Sequence, residues 1–181
     1  MDIQTLEVAG LFPALEALRL PFGLSVRSRC ISNVLHYDGT ADNTWSSASR
    51  IALDEKDLSL MRTLVKRGDE HAKTVRGIVV YAKITAPVYW FIEEETYRAG
   101  HERLASESTM HIDCRGLGGE ELQRAKAEIP MGKMLTKVDM FSYQCLRNMC
   151  RQREGHRLPE WKTFIDWVRT LPLAEELIFV K

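Results

Sequence analysis

The chain has 181 residues, of which 45% are hydrophobic and 28% charged, the usage of an ordinary globular domain rather than a disordered or fibrous chain. Its 25 basic and 25 acidic side chains cancel, so no global field favours capture of nucleic acid or an anionic membrane, and any anion site must be local. The longest apolar stretches, residues 78–82 and 87–92, fall far short of the roughly 20 residues that cross a bilayer.

In chain order, Leu11, Ala14, Leu15 and Leu18 recur at helical spacing, with Pro13 in a first turn and Pro21 beyond the end, which predicts a helix near 11–20. Residues 25–49, rich in Ser, Asn, Asp, Gly and Thr, read as a long irregular segment. Asp54 stands as N-cap before Leu58, Met61, Leu64 and Val65, and Gly68 follows as a stop, which marks a second helix. Residues 75–85 change to a period of two and predict a strand buried on both faces. Pro87 then fits the first position of a helix over 88–99 ended by Gly100. Val138, Phe141, Cys145 and Met149 fall on one helical face, and Pro159 opens a last helix carrying Trp161, Phe164, Ile165 and Val168. The expected fold is α+β, a mostly helical single domain over 1–181 with a small central sheet. Met1 to Gly10 has no secretory pattern and the four cysteines form no C-x-x-C pair, so a soluble protein of a reducing cytoplasm is expected.

Ionisable groups crowd residues 70–111. Successive helical residues turn by about 100°, so Glu93, Glu94 and Glu95 cannot share one face, and some must point toward whatever Tyr89 and Trp90 pack against. Arg98 lies within one turn of Glu94 and Glu95, so an intrahelical ion-pair ladder stands beside a functional reading. Arg98, Arg103, Ser106 and Ser108 offer the guanidinium forks and hydroxyls that bind a phosphate locally. His111-x-x-Cys114 and the His101-Glu102 pair do not make the two paired ligand sets of a zinc site, so no metal is expected. Cys145 and Cys150 read as small buried hydrophobes. The cations Arg147, Arg151, Arg153, His156 and Arg157 crowd a helix end, where the dipole favours them in any protein; with zero net charge a nucleic-acid surface is not expected.

The order of these features resembles the flavin-dependent thymidylate synthases over roughly Glu70 to Trp161. That family carries a Glu-His pair before a central strand, matched by Glu70-His71, then a Pro-led helix, matched at Pro87. Counted from Pro87, the family Gln falls on Glu93, and the R-H-R of its R-H-R-x-x-S-x-N-E-x-S signature falls on Thr96, Tyr97 and Arg98. A second register puts His101, Glu102 and Arg103 on R-H-R and Ser106 on its serine. Asn148, Arg153 and His156, followed by Glu160, are similar to the family's C-terminal N-x-x-x-L-R-x-x-x-H pattern with one residue fewer. The segments 95–100 and 106–111 look like those of divergent, phage-encoded relatives. The resemblance implies FAD, dUMP and a folate bound between the subunits of a homotetramer, with transfer of a one-carbon unit to the uracil C5. It implies Arg153 as the catalytic group on the uracil, with Glu93 beside the substrate. Arg98 or Arg103, with Ser106 and Ser108, would hold phosphate, and His71, Asn148 and His156 would hold the flavin. Loss of two cations at Thr96 and Tyr97 leaves a second implication, a non-catalytic nucleotide- or protein-binding factor of the same fold.

Overall fold

The structure, a computed structural model, describes residues 1–30 and 51–180. Four strands form an antiparallel sheet: β1 (Asp2–Ala9), β4 (Val79–Pro87), β5 (His101–Ser106) and β6 (Met134–Ser142), in the order β1-β4-β6-β5. Two short strands, β2 (Arg29–Cys30) and β3 (Ile51–Ala52), pair as a separate ribbon. From residue 31 on, the irregular segment expected at 25–49 lies outside the described residues.

The helices are α1 (Leu11–Arg19), α2 (Glu55–Lys66), α3 (Val88–Glu94), α4 (Thr109–Ile112), α5 (Gly119–Ala127), α6 (Tyr143–Arg153), α7 (Pro159–Arg169) and α8 (Ala174–Leu177). The α+β, mostly helical architecture is the expected one. No helix among the described residues is long and apolar enough to cross a membrane.

Period-2 patterning explains where the core sits. Val80, Ala82, Ile84 and Ala86 alternate along β4 and are fully buried. Their partners on β6 are Phe141, Asp139, Lys137 and Leu135, so the buried face of the sheet turns from apolar to charged between β4 and β6. Against it lie Trp90 of α3 and Trp161 and Phe164 of α7, with ring centroids 5.1 and 5.6 Å from Trp90. On α7, Trp161, Phe164 and Val168 of the expected stripe face the core, joined by Trp167, while Ile165 is only partly buried.

Three element assignments are corrected. The strand expected at 75–85 is β4 at 79–87, because Lys73–Gly77 is a 3-10 turn, and Pro87 precedes α3 as its N-cap rather than opening it. The helix expected at 88–99 stops at Glu94: Thr96 and Tyr97 are weaker helix formers, their amides bond back to Glu93 and Glu94, and the chain from His101 pairs with β6 instead. The single helix expected through Val138, Phe141, Cys145 and Met149 is two elements, strand β6 and helix α6, divided at Ser142, whose side chain caps α6 by accepting from the Cys145 amide at 3.1 Å. Val138 and Phe141 therefore point to opposite faces of a sheet.

Candidate functional site

Capped at Ser142, α6 sets Cys145, Asn148 and Gln152 three and four residues apart on one face. Residues 96–99, leaving α3, pass over that face. Together, Thr96, Tyr97, Arg98, Ala99, Cys145, Asn148 and Gln152 line a cavity of about 400 Å³. Arg98 is the one charged residue on this wall and makes no ion pair among the described residues.

Behind Tyr97 lies a polar cluster built from three elements. The Glu93 carboxylate, at the end of α3, accepts from Arg153 Nη1 at 2.9 Å and from the Trp161 indole at 3.0 Å. Arg153, closing α6, also donates through Nε to the Tyr97 hydroxyl at 2.8 Å. Its guanidinium stacks 4.7 Å from the Trp161 ring. His156 Nε2 stands 3.1 Å from Arg153 Nη1 and 3.5 Å from the Glu93 carboxylate. Ion pairing, ring stacking and helix packing therefore hold the Arg153 fork in one orientation.

Of the nine residues expected at a site, Glu93, Arg153 and His156 form this cluster, and Arg98 and Asn148 line the adjoining cavity. The other four lie elsewhere. Arg103 pairs with Glu95 at 2.6 Å, and Lys137 also contacts Glu95. That geometry is the reverse of the expected intrahelical ladder: Arg98, not Arg103, is left unpaired by the glutamates. Ser106 ends β5, exposed, and Ser108 is the residue before α4; five residues of strand put Ser106 roughly 17 Å along from His101. His71 is half-exposed beside Glu70, at 3.4 Å.

A second polar group is fully enclosed. Cross-strand pairing sets His101 of β5 opposite Phe141 of β6, with the rings stacked at 4.6 Å and 7°, and Asp139 lies two residues back along β6 on the same face. Glu94 reaches the same point from α3. His101 Nε2 is 2.7 Å from Glu94 Oε1 and 3.6 Å from Asp139 Oδ1. Burial pushes the imidazolium toward neutrality, but the carboxylates of Asp139 and Glu94 outweigh that and raise its pKa to about 9. Burial, opposed by His101 and reinforced by Asp139, raises that of Glu94. Burial also pushes the Cys145 and Cys150 thiols up to about 12, so neither is a thiolate nucleophile near neutral pH.

Sequence reasoning missed Tyr97 and Trp161 as site residues and missed the Glu94-His101-Asp139 group. Glu94 and His101 are seven residues apart and were visible as candidates; Asp139 joins them only through strand pairing, which no local pattern carries.

No protein-family model matches the sequence, and no curated protein matches it. Solved structures do. The flavin-dependent thymidylate synthase ThyX of Helicobacter pylori, complexed with FAD and dUMP, superposes with a TM-score of 0.67 over 98% of each chain at 13% identity. This chain has the flavin-dependent thymidylate synthase fold. The UMP/dUMP methylase PolB of Streptomyces cacaoi, bound with 5-Br dUMP, gives a TM-score of 0.63 at 11% identity, over 98% of this chain and 94% of that one. The thymidylate synthase fold anticipated from the order of Glu70-His71, Pro87 and the residues around Arg153 is thus the fold the chain adopts.

Proposed function

We propose that the chain binds a pyrimidine nucleotide at the cavity between residues 96–99 and α6, and that it transfers a one-carbon unit to C5 of dUMP with FAD and a folate. The observation that carries this reading is Arg98: it is the single charge on a cavity whose other lining residues include Asn148, Gln152, Thr96 and Tyr97 as polar groups. An unpaired guanidinium on the cavity wall suits a phosphate, and the Glu93–Arg153 pair behind Tyr97 offers the acceptor and donor that a pyrimidine base requires. The neighbours of the same fold support it, ThyX with FAD and dUMP and PolB with 5-Br dUMP.

The cavity, about 400 Å³, lies at the small end of ligand sites, roughly 300–1,000 Å³, with room for a mononucleotide or one flavin ring system but not a whole dinucleotide. The carboxamides fit the polar edge of a flavin ring, so Asn148, with His71 from the surface, would hold FAD in a site completed by a second subunit, which would also bring Ser106 and Ser108 to phosphate. Bound FAD would supply the one-carbon transfer chemistry. This chain's part is orientation: Arg153 donates to a uracil carbonyl oxygen while Glu93 accepts from the ring N–H, and His156 and Tyr97 keep the arginine fork in place.

The Glu93–Arg153 pair also favours a second reading, a nucleotide-binding factor of the same fold without catalysis, because the carboxylate neutralises the cation that would stabilise charge on the uracil. One preparation separates the two. Protein purified without added flavin, then titrated with FAD, is expected to show isoalloxazine absorption, and calorimetry is expected to show dUMP binding that Arg153→Ala weakens by about 1.5–3 kcal/mol. A colourless protein that takes up no FAD leaves the factor reading; unchanged dUMP affinity in Arg153→Ala removes Arg153 from the site.

A further inference from the structure

We propose that Glu94, His101 and Asp139 form a binding site for one divalent first-row metal ion, a buried site beside the nucleotide cavity that shares no ligand with its lining and ties α3, β5 and β6 together.

Three side chains from three elements converge on one buried point. Each offers a ligand atom, one imidazole nitrogen and two carboxylate oxygens, all within 4.8 Å of one another. Glu94 and Asp139 are fully buried, and the His101 ring is nearly so. Bonds of about 2.0–2.2 Å to a common ion would place neighbouring ligand atoms roughly 3–3.5 Å apart. The 2.7 and 3.6 Å contacts of His101 Nε2 bracket that spacing, so small side-chain rotations complete the polyhedron.

Hydrogen bonding says what is missing at that point. Both oxygens of Glu94, both of Asp139 and Nε2 of His101 lack a hydrogen-bond partner among the described residues; the close Nε2 contact is not aligned as a hydrogen bond. Buried carboxylate oxygens are almost always satisfied, and a single imidazolium proton satisfies at most one of four. Meanwhile His101 Nδ1 lies 3.2 Å from the Tyr97 carbonyl oxygen. An Nδ1–H donated to a backbone carbonyl leaves Nε2 as the ring atom that faces the carboxylates, the arrangement typical of a metal-bound histidine. A proton on Nε2 or a metal ion can fill the position between them, and because the one proton leaves at least three of the four carboxylate oxygens unpartnered, a divalent ion displacing it satisfies the group more fully.

Neighbouring cations do not supply it. Lys137, on the same face of β6, is held by Glu95 and lies over the Phe91 ring, 4.0 Å from its centroid. Charge then selects the ion: two carboxylates and a neutral imidazole total −2, cancelled by one M²⁺. Mixed nitrogen and oxygen ligands suit Zn(II), Mn(II), Fe(II) or Co(II) better than Mg(II) or Ca(II). When the imidazole enters as imidazolium, its Nε2 proton is released to solvent as the metal bond forms.

Cobalt tests this without a nucleotide or flavin, so its failure is independent of the proposed reaction. The full chain is dialysed against EDTA, returned to neutral buffer and titrated with CoCl₂. Expected are one Co(II) per chain with visible d–d absorption, displacement by Zn(II), and a Tm that rises with zinc concentration. Asp139→Asn and Glu94→Gln should each weaken Co(II) at least tenfold, the lower end of what losing even a residue that only hydrogen-bonds a ligand costs; His111→Ala, on exposed α4, should not. Folded wild-type protein that develops no d–d bands at millimolar CoCl₂ overturns the proposal whether or not the variants fold, and bands unchanged in a folded Asp139→Asn protein overturn it equally.

Discussion

At the scale of single residues, two arginines exchange the roles that sequence spacing gives them. Spacing places Arg98 within a turn of Glu94 and Glu95, and Arg103 just past the Gly100 stop, free to face phosphate; the structure ends the helix at Glu94, pairs Arg103 with Glu95 across to β5, and leaves Arg98 on the cavity wall. Arg98→Ala is therefore expected to abolish binding of a pyrimidine monophosphate while sparing the nucleoside, whereas Arg103→Ala breaks a half-exposed pair worth about 0–1 kcal/mol. Calorimetry with dUMP and deoxyuridine checks both, and loss of phosphate recognition in Arg103→Ala would reverse the assignment. Asp57 is a residue no motif marks. Fully buried on α2, it accepts from Arg19 Nε, from the Ser28 amide and hydroxyl, and from the Arg27 amide at 2.7–2.9 Å. Burial pushes its carboxyl up, but Ser28, Arg19 and Arg27 together bring it down to about 2 from 3.8. A folded pKa below the unfolded one contributes stability that is complete above the unfolded value and lost as pH falls through the folded value. Denaturant midpoints should thus fall between about pH 4 and about pH 2 more steeply in the wild type than in Asp57→Asn, and parallel curves would show that Asp57 does not couple folding to protons. Glu93, Arg153 and His156 were legible because chemistry and order survive in sequence; Asp57 and Asp139 were not, since their partners lie 29 to 45 positions away.

At the scale of elements, helices with punctuation at both ends were readable and strand pairings were not. Asp54 caps α2 through the Lys56 amide at 2.9 Å, and Pro159 opens α7, as spacing and capping chemistry require. Residues 134–149 were misread because Val138, Phe141, Cys145 and Met149 fit a 3.6 period by coincidence of two elements, a strand and a helix that share no period. The seam between them is held from outside. The Ser142 amide donates to the Gly100 carbonyl at 2.7 Å, and Gly100 has φ +79 with a would-be Cβ only 2.2 Å from Ser142 Oγ. That oxygen is the N-cap of α6. Gly100→Ala therefore combines a left-handed backbone, about 1–2 kcal/mol, with a displaced cap, about 1 kcal/mol. Gly116 has a similar φ of +81 and nothing within 4 Å, so Gly116→Ala isolates the backbone cost. Thermal melts should show the larger drop in Gly100→Ala; equal drops would mean that the Ser142 contact relaxes freely.

At the scale of the whole molecule, the reason to expect an assembly shifts from the core to one edge. Trp90, Phe91 and Ile92 are a consecutive apolar run that would suggest surface left for a partner, yet Trp90 and Phe91 are buried at 0% and 2% exposure inside this chain. Exposed large apolar side chains fall into two groups among the described residues: Leu6, Leu20, Phe22 and Leu24 in the N-terminal part, and Ile92, Leu104 on β5, Met110 and Ile112 on α4, and Met131 and Met134 before and in β6. Leu104 of the second group lies on β5, an edge strand of the sheet, and the Glu107 amide just past that strand bonds the Thr136 carbonyl, two residues from Met134 on β6. An apolar patch beside an open strand edge is a surface that monomers seldom leave bare. Ser106 ends that edge strand and Ser108 precedes α4, so a second copy seated along the edge would bring its own polar groups toward them. A closed homo-oligomer is therefore expected, and a tetramer is the state that the sequence resemblance implies. Light scattering should give a multiple of 20.8 kDa at micromolar concentration, and Leu104→Lys with Ile112→Lys should lower the mass while leaving the far-ultraviolet circular dichroism unchanged. A monomer mass for the unsubstituted chain would refute the assembly, and with it the expectation that the FAD site is completed between subunits.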